Sequence, residues 1–192
     1  MTTASWAAEA WLALTGALRL ARGDANGLAY FDASERGFWQ SFRAGVLCYP
    51  LYLVLLAFPI EIGTPEEIDP VRQLVVETIH YVISWVAFPL LMLPLVDRLQ
   101  RGNRFFGFMV AYNWCQLPQM VVFTTVALTG ATGLLSGEGV LIADLVVGIA
   151  ALVYEWYIAR VALAVSRPQA VLVIVVDIAL ATLLTHVSTA LY

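Results

Sequence analysis

The sequence predicts an all-α fold: a polytopic membrane helix bundle with five transmembrane helices and an amphipathic interfacial helix at the amino terminus. Three observations carry this reading. Hydrophobic residues make up 61% of the 192 residues and charged residues 12%, well below the roughly one quarter charged of water-soluble domains. Mean hydropathy is +0.82. Five long apolar runs recur along the chain, separated by short polar connectors. Their lengths sit near the approximately 20 residues a helix needs to cross about 30 Å of hydrocarbon. None shows the alternating pattern of an outer-membrane strand, so helices are the consistent choice.

The first element is the amphipathic helix. On a 3.6-residue wheel, Trp6, Ala7, Ala10, Trp11, Leu14, Ala17 and Leu18 form one face, while Ser5, Glu9, Thr15, Arg19 and Arg22 take most of the other. Indoles on an apolar face suit the headgroup boundary, with the arginines directed at headgroups or acidic partners. Packing against the cytoplasmic end of the bundle is the alternative, and the two are compatible. GDANG (23–27) ends this helix, because Gly and Asn favour positions just past the last turn. Residues 1–29 thus form an interfacial helix and linker, and residues 30–192 a transmembrane domain.

The first span, Phe42–Ile60, starts early. Asp32 and Glu35 have the spacing of a D-x-x-E capping box. Phe38, Trp39 and Phe42 then fall at the cytoplasmic interface, with Arg43 extended toward phosphates. The later spans are Leu74–Val96, Phe105–Thr129, Val140–Ala159 and Ala170–Leu191. Pro50, Pro59, Pro89, Pro94 and Pro118 lie within or near the ends of spans, where each frees a carbonyl and bends its helix or improves packing. The connectors 61–69, 97–104, 129–139 and 164–169 combine Gly, Pro and charge. Links this short make sequential helices close, antiparallel neighbours.

Orientation follows from arginine, which supplies all ten basic residues. Arg19, Arg22, Arg36, Arg43, Arg98, Arg101, Arg104, Arg160 and Arg167 fall on one side of the five spans and Arg72 on the other. The positive-inside rule then places the amino terminus in the cytoplasm and the carboxyl terminus in the periplasm of a bacterial inner membrane. The formal net charge of -4 and the absence of a basic block exclude nucleic acid as a partner. Membrane lipids, other membrane-protein subunits or further copies of the chain are the expected partners. The start of the chain lacks a basic n-region and makes a poor signal peptide. Cys48 and Cys115 give neither a disulfide framework nor a metal pair and read as small apolar fillers. No sequence pattern calls for a cofactor.

Polar groups at membrane depth are the sharpest clues, because an unpaired charge in lipid is expensive. They sort into two layers. Nearer the cytoplasm are Asn113, Gln116, Glu155 and Asp177. In a structural account, Asp177 bonds Asn113 or Gln116, and Glu155 pairs with Arg160 or Arg43. In a functional account, the same carboxylates among amides relay protons or coordinate a cation. The run YNWCQLPQ (112–119) concentrates aromatics and amides there. Nearer the outside are Glu77, His80, Asp144 and His186. Glu77 and His80 form a Glu-x-x-His pair, and Asp144 and His186 at comparable depth would complete a carboxylate–imidazole set. One copy falls short of the doubled pattern of di-iron bundles, so no metal is assigned. Proton-sensitive pairing and ordinary polar packing stay open.

The segment FDASERGFWQSFRA (31–44), leading into five spans, resembles bacterial Yip1-type membrane proteins across roughly residues 30–192. That resemblance implies a small five-helix bundle with a cytoplasmic amino-terminal part and carries no functional residue across. Eukaryotic relatives of that type are associated with membrane trafficking and small GTPase partners; this chain lacks their long amino-terminal region.

The expected function is a noncatalytic structural, scaffold or assembly subunit of a membrane complex. The rival is a small transporter or channel component using Asn113, Gln116, Glu155 and Asp177. An enzyme ranks third, because no residue pair has nucleophile–base spacing. What separates the first two is whether those polar side chains surround a hydrated cavity or seal against one another.

Overall fold

The computed structural model describes residues 6–58 and 69–191, and every element among them is helical. The chain runs through α1 (Trp6–Ala21), a 3-10 turn (Ala25–Tyr30), α2 (Glu35–Ser41), α3 (Arg43–Ala57), α4 (Pro70–Arg98), α5 (Phe105–Ala131), α6 (Gly137–Ala162) and α7 (Arg167–Thr189). Ser5, Pro59, Ile60 and most of the first connector lie outside the described residues. Four helical stretches are long and apolar enough to cross a membrane: Glu35–Ala57, Pro70–Arg98, Gly137–Ala162 and Arg167–Thr189. Their length and composition are those of an integral membrane protein.

The remaining long helix, α5, has 27 residues but does not join that apolar set. Its amides Asn113, Gln116 and Gln119 dilute its apolar character, and it can carry them because it is the central helix. α1, α2, α3 and α6 all pack on it, and α4 touches it. Phe108, Met109, Ala111 and Cys115 on α5 are fully buried.

Helix ends follow ordinary capping chemistry. The Ser166 hydroxyl accepts from the Gln169 amide, and the Gln169 side chain returns to the Ser166 amide, a complete capping box before Pro168. Asp69 and Ser136 cap α4 and α6. At the first span the cap differs from the expected one. Ser34, not Asp32, receives an amide, from Gly37 at 3.1 Å, while Asp32 Oδ1 accepts from the Ser34 amide. Ser34 sits three residues before Gly37, the distance a short hydroxyl needs to reach the third amide of the helix. Gly37 also allows the tight entry, since a Cβ there would lie 1.9 Å from the Asp32 carbonyl oxygen.

Sequential helices from α3 onward touch one another, though not equally closely. α5, α6 and α7 pack in chain order, but α3 lies on α5, and α4 lies on α7. α3 and α4 meet through long side chains. Tyr49, Tyr52 and Tyr81 form a ring cluster between them, and the Tyr81 hydroxyl donates to the Gly45 carbonyl. Trp85 packs at 3.0 Å from where a Gly45 Cβ would stand. On α3, Ala44, Gly45 and Cys48 are buried, and such small residues permit close helix approach.

α1 turns its small residues to the bundle and leaves its tryptophans outward. Ala13, Gly16, Ala17 and Leu20 are buried, while Trp11 is 70% exposed and Trp6 and Leu18 are also exposed. The cause is steric. A Cβ on Gly16 would meet the Gly27 carbonyl oxygen at 2.8 Å, and one on Gly27 the Gly16 carbonyl at 2.6 Å. Only glycines let the helix and the following turn close on each other. The hydroxyls of Tyr154 and Tyr157 on α6 then donate to the carbonyls of Ala17 and Gly23, pinning the hairpin.

Candidate functional site

A cavity of about 470 Å3 lies between α4, α5, α6 and α7. α5 supplies Tyr112, Gln116, Gln119 and Phe123, spaced i, i+4, i+7 and i+11 so that all four fall on one helical face. α6 contributes Glu155 and α7 Asp177, with aromatic side chains of α3 and α4 completing the wall. Both carboxyl groups sit about 10–15 Å along their helices from the ends joined by the α6–α7 connector, at 1.5 Å per residue.

The polar geometry is specific. The Tyr112 hydroxyl donates to Asp177 Oδ2 at 2.7 Å. Gln116 Nε2 donates to Glu155 Oε1 at 3.3 Å. Gln119 Nε2 donates to the Cys115 carbonyl at 3.1 Å, one turn back on its own helix. Glu155 is buried. The cavity wall contains no arginine or histidine, and neither carboxyl group has an ion-pair partner among the described residues. Two acids therefore share one cavity without a cation from the protein. Six aromatic residues line the same space, among them Phe88 and Tyr112, stacked with centroids 4.4 Å apart.

The inner-layer residues thus meet in partly different pairs from those expected. Asp177 bonds Tyr112 rather than Asn113 or Gln116; Asn113 instead donates to the buried Ser41 hydroxyl at 2.8 Å. Glu155 bonds Gln116 and not an arginine. Arg160 lies over the Trp156 ring, and Arg43 donates to Glu9 Oε2 at 2.8 Å. The arginine expectation failed because depth along a helix was matched without rotation about its axis. Tyr112 was missed as a partner, although its i, i+4 relation to Gln116 was the available signal.

The outer-layer residues separate. Glu77 is buried, accepts from the Tyr52 hydroxyl at 2.5 Å and lies 3.1 Å from His80 Nδ1. His186 is exposed and Asp144 half-buried. Among the described residues no group of three or more His, Cys, Asp or Glu side chains comes together to hold a metal ion, so Asp144 and His186 do not complete a set with Glu77 and His80. Tyr52 lines the cavity, which places the Glu77–His80 pair one hydrogen bond from it.

Of the interface residues, Trp39 is exposed at the start of the first span. Arg22 is exposed, and Arg19 stacks over Tyr30 at 5.1 Å and lies 3.8 Å from Asp24. A second cavity of about 220 Å3 lies on the other side of α5, between Trp114, α1 and the Glu9–Arg43 pair. No protein-family model matches this chain, and no curated protein or solved structure matches it significantly.

Proposed function

We propose that the chain is a noncatalytic integral membrane protein that binds a small solute in the cavity beneath Glu155 and Asp177, as a transporter or channel component. In this reading α5 is the fifth span, its amides sheltered by the helices around it. The amino terminus is cytoplasmic and the carboxyl terminus periplasmic in a bacterial inner membrane, as the nine-to-one arginine distribution directs. α1 lies at the cytoplasmic boundary with Trp11 and Leu18 toward lipid, a layout compatible with the Yip1-type resemblance.

One observation carries the reading: two carboxyl groups at membrane depth border open space of about 470 Å3 with no basic residue in its wall. Polar residues placed only to lock helices together are sealed from open space, as the fully buried Ser41 hydroxyl is beneath its bond from Asn113. Those of the cavity instead border a space within the roughly 300–1,000 Å3 of small-molecule sites.

The test is water access. Ala151 and Ala181 line the cavity. Each is replaced by cysteine on a background with Cys48 and Cys115 changed to alanine, then exposed to a membrane-impermeant thiol reagent in intact and opened cells. Both positions should label from at least one side. Absence of labelling at both from either side, in folded protein, overturns the reading.

A scaffold or assembly subunit is the second reading. It is favoured by the exposed Trp39 and Val46 on the first span and by the satisfaction of every buried side-chain polar atom among the described residues. It is the reading that unlabelled cavity positions would favour.

A further inference from the structure

We infer that the solute of this cavity is an organic monocation with an apolar body, of the substituted-ammonium class. The inference rests on the proposed solute-binding function and names its ligand chemistry.

Charge sets the sign. Glu155 and Asp177 both border the cavity, and no arginine or histidine does. The hydrogen bonds these carboxyl groups receive come from neutral donors, Gln116 on Glu155 and Tyr112 on Asp177 among them. A neutral donor stabilises a carboxylate less than a cation does, so an incoming positive charge meets acceptors that the protein has not neutralised. An anion would meet like charge at the same place.

The rest of the wall sets the body. Tyr52, Tyr81, Trp85, Phe88, Tyr112 and Phe123 all face this space. Aromatic faces attract a diffuse cation, and alkylated ammonium groups are the ligands such cages hold. A bare divalent metal ion fits badly. It calls for six or more oxygen ligands at short range, whereas two carboxyls among rings and aliphatic side chains supply few. A neutral sugar calls for many convergent donors and acceptors, and apolar Leu184, Met120 and Leu152 occupy those positions.

A phospholipid headgroup also carries an ammonium, but its phosphate follows within a few bonds. Drawing that anion to the depth of Asp177 would set it beside two carboxyl groups in a medium of low dielectric. A free cation avoids this. Exposed Ile178 and Ala181 at the α7 rim provide an apolar approach for its body.

The experiment uses the full chain in nanodiscs of anionic and neutral lipids, with labelled benzyltrimethylammonium as the probe. Saturable binding is expected, displaced by the unlabelled cation but not by neopentylbenzene, in which carbon replaces the charged nitrogen. Neither sodium ion nor phenylacetate should displace it beyond an ionic-strength control. Glu155→Gln with Asp177→Asn should weaken binding by at least about tenfold, a factor corresponding to ~1.4 kcal/mol. Should the double variant fail to fold, each single variant should weaken binding severalfold, and Phe123→Ala should do so with both carboxyl groups intact.

Unchanged affinity in folded variants, equal displacement by the neutral analogue, or no saturable binding overturns the inference. Displacement by a soluble short-chain phosphocholine at equal concentration assigns the site to lipid and overturns it too. Thiol labelling of Ala151→Cys and Ala181→Cys without cation binding removes this ligand class and leaves the solute-binding reading standing. Loss of both removes both.

Discussion

The two cavities flanking α5 differ in size and in how their acids are partnered. On the α1 side, Glu9 faces Arg43 at 2.8 Å beside Trp114. On the α6–α7 side, Glu155 and Asp177 have amide and phenol donors but no arginine. In the first, Glu9 has its counter-charge within the protein, and close glycine packing nearby shuts the amino-terminal hairpin on itself. The second is left to be completed from outside. Position along the membrane does not distinguish them, since Tyr112 and Trp114 are two residues apart. Rotation about α5 does, because two residues turn a helix by about 200°.

The largest effect should come from breaking the closed side. Gly27→Val places a branched Cβ where even a single carbon lies 2.6 Å from the Gly16 carbonyl oxygen. Backbone cannot yield as a side-chain tip can, so a loss of ~1–3 kcal/mol or more is expected, of the size seen when cores are overpacked. The measurement is protease sensitivity of residues 6–30 in nanodiscs, which should rise sharply. Affinity for the cation should stay within about twofold if the two sides are independent, that factor being under half a kcal/mol. A tenfold fall with the transmembrane part intact would show that α1 shapes the cavity through α5.

A second comparison uses two amides one turn apart. Both line the cavity, but Asn113 donates to the buried Ser41 hydroxyl, whereas Gln116 donates to Glu155. Asn113→Leu should lower thermal stability, because a lost partner for a buried polar atom costs about 1–3 kcal/mol. Gln116→Leu should alter stability less and cation affinity more. Reversed assignments in a melting and binding series would show that the cavity is the structural side of α5.

The fold was largely legible in the sequence because hydropathy reports length and composition directly. The spans from residue 70 onward appear within a few residues of the expected bounds, and α1 ends at the expected GDANG turn. What hydropathy lacks is rotation and neighbour choice. It set the tryptophan face of α1 toward the headgroup boundary, and Trp6 and Trp11 are indeed exposed. It did not single out Ala13, Gly16 and Leu20 as the packing face, where close approach counts for more than apolar area. It made α3 and α4 neighbours on connector length, and they do meet, but through Tyr49, Tyr52, Tyr81 and Trp85 rather than through close backbones. Within the site, the acids and amides were legible as polar residues out of place. Their aromatic surroundings were not, because an aromatic residue in an apolar span reads the same whether it meets lipid, core or cavity.

A third measurement asks whether the outer network belongs to the open side. Tyr52 lines the cavity and its hydroxyl donates to Glu77, which neighbours His80. Tyr52→Phe keeps the ring and removes the donor. Affinity should fall only about two- to threefold, since the ring face is retained, a change of ~0.4–0.7 kcal/mol. A loss as large as that of Glu155→Gln with Asp177→Asn would make Glu77 part of the binding charge and enlarge the site outward.

The smallest effect is expected at the Glu9–Arg43 pair itself. Its side chains are 31% and 39% exposed, so solvent screens their attraction and much of the Coulomb energy is lost to hydration. Pairs of this kind contribute about 0.2–1 kcal/mol. A double-mutant cycle with Glu9→Ala and Arg43→Ala, read by thermal unfolding in nanodiscs, should give a coupling in that range. The coupling should shrink when ionic strength rises from 0.1 to about 1 M, as the Debye length contracts from ~10 Å to ~3 Å. The hairpin should remain docked in each variant, because Gly16 and Gly27 keep it closed on itself and the two tyrosine donors from α6 pin it to the bundle by backbone hydrogen bonds. A coupling of several kcal/mol that ignores salt would mean that the pair is shielded from water, and the pair rather than the tyrosine hydrogen bonds would then be what fastens α1 to the bundle.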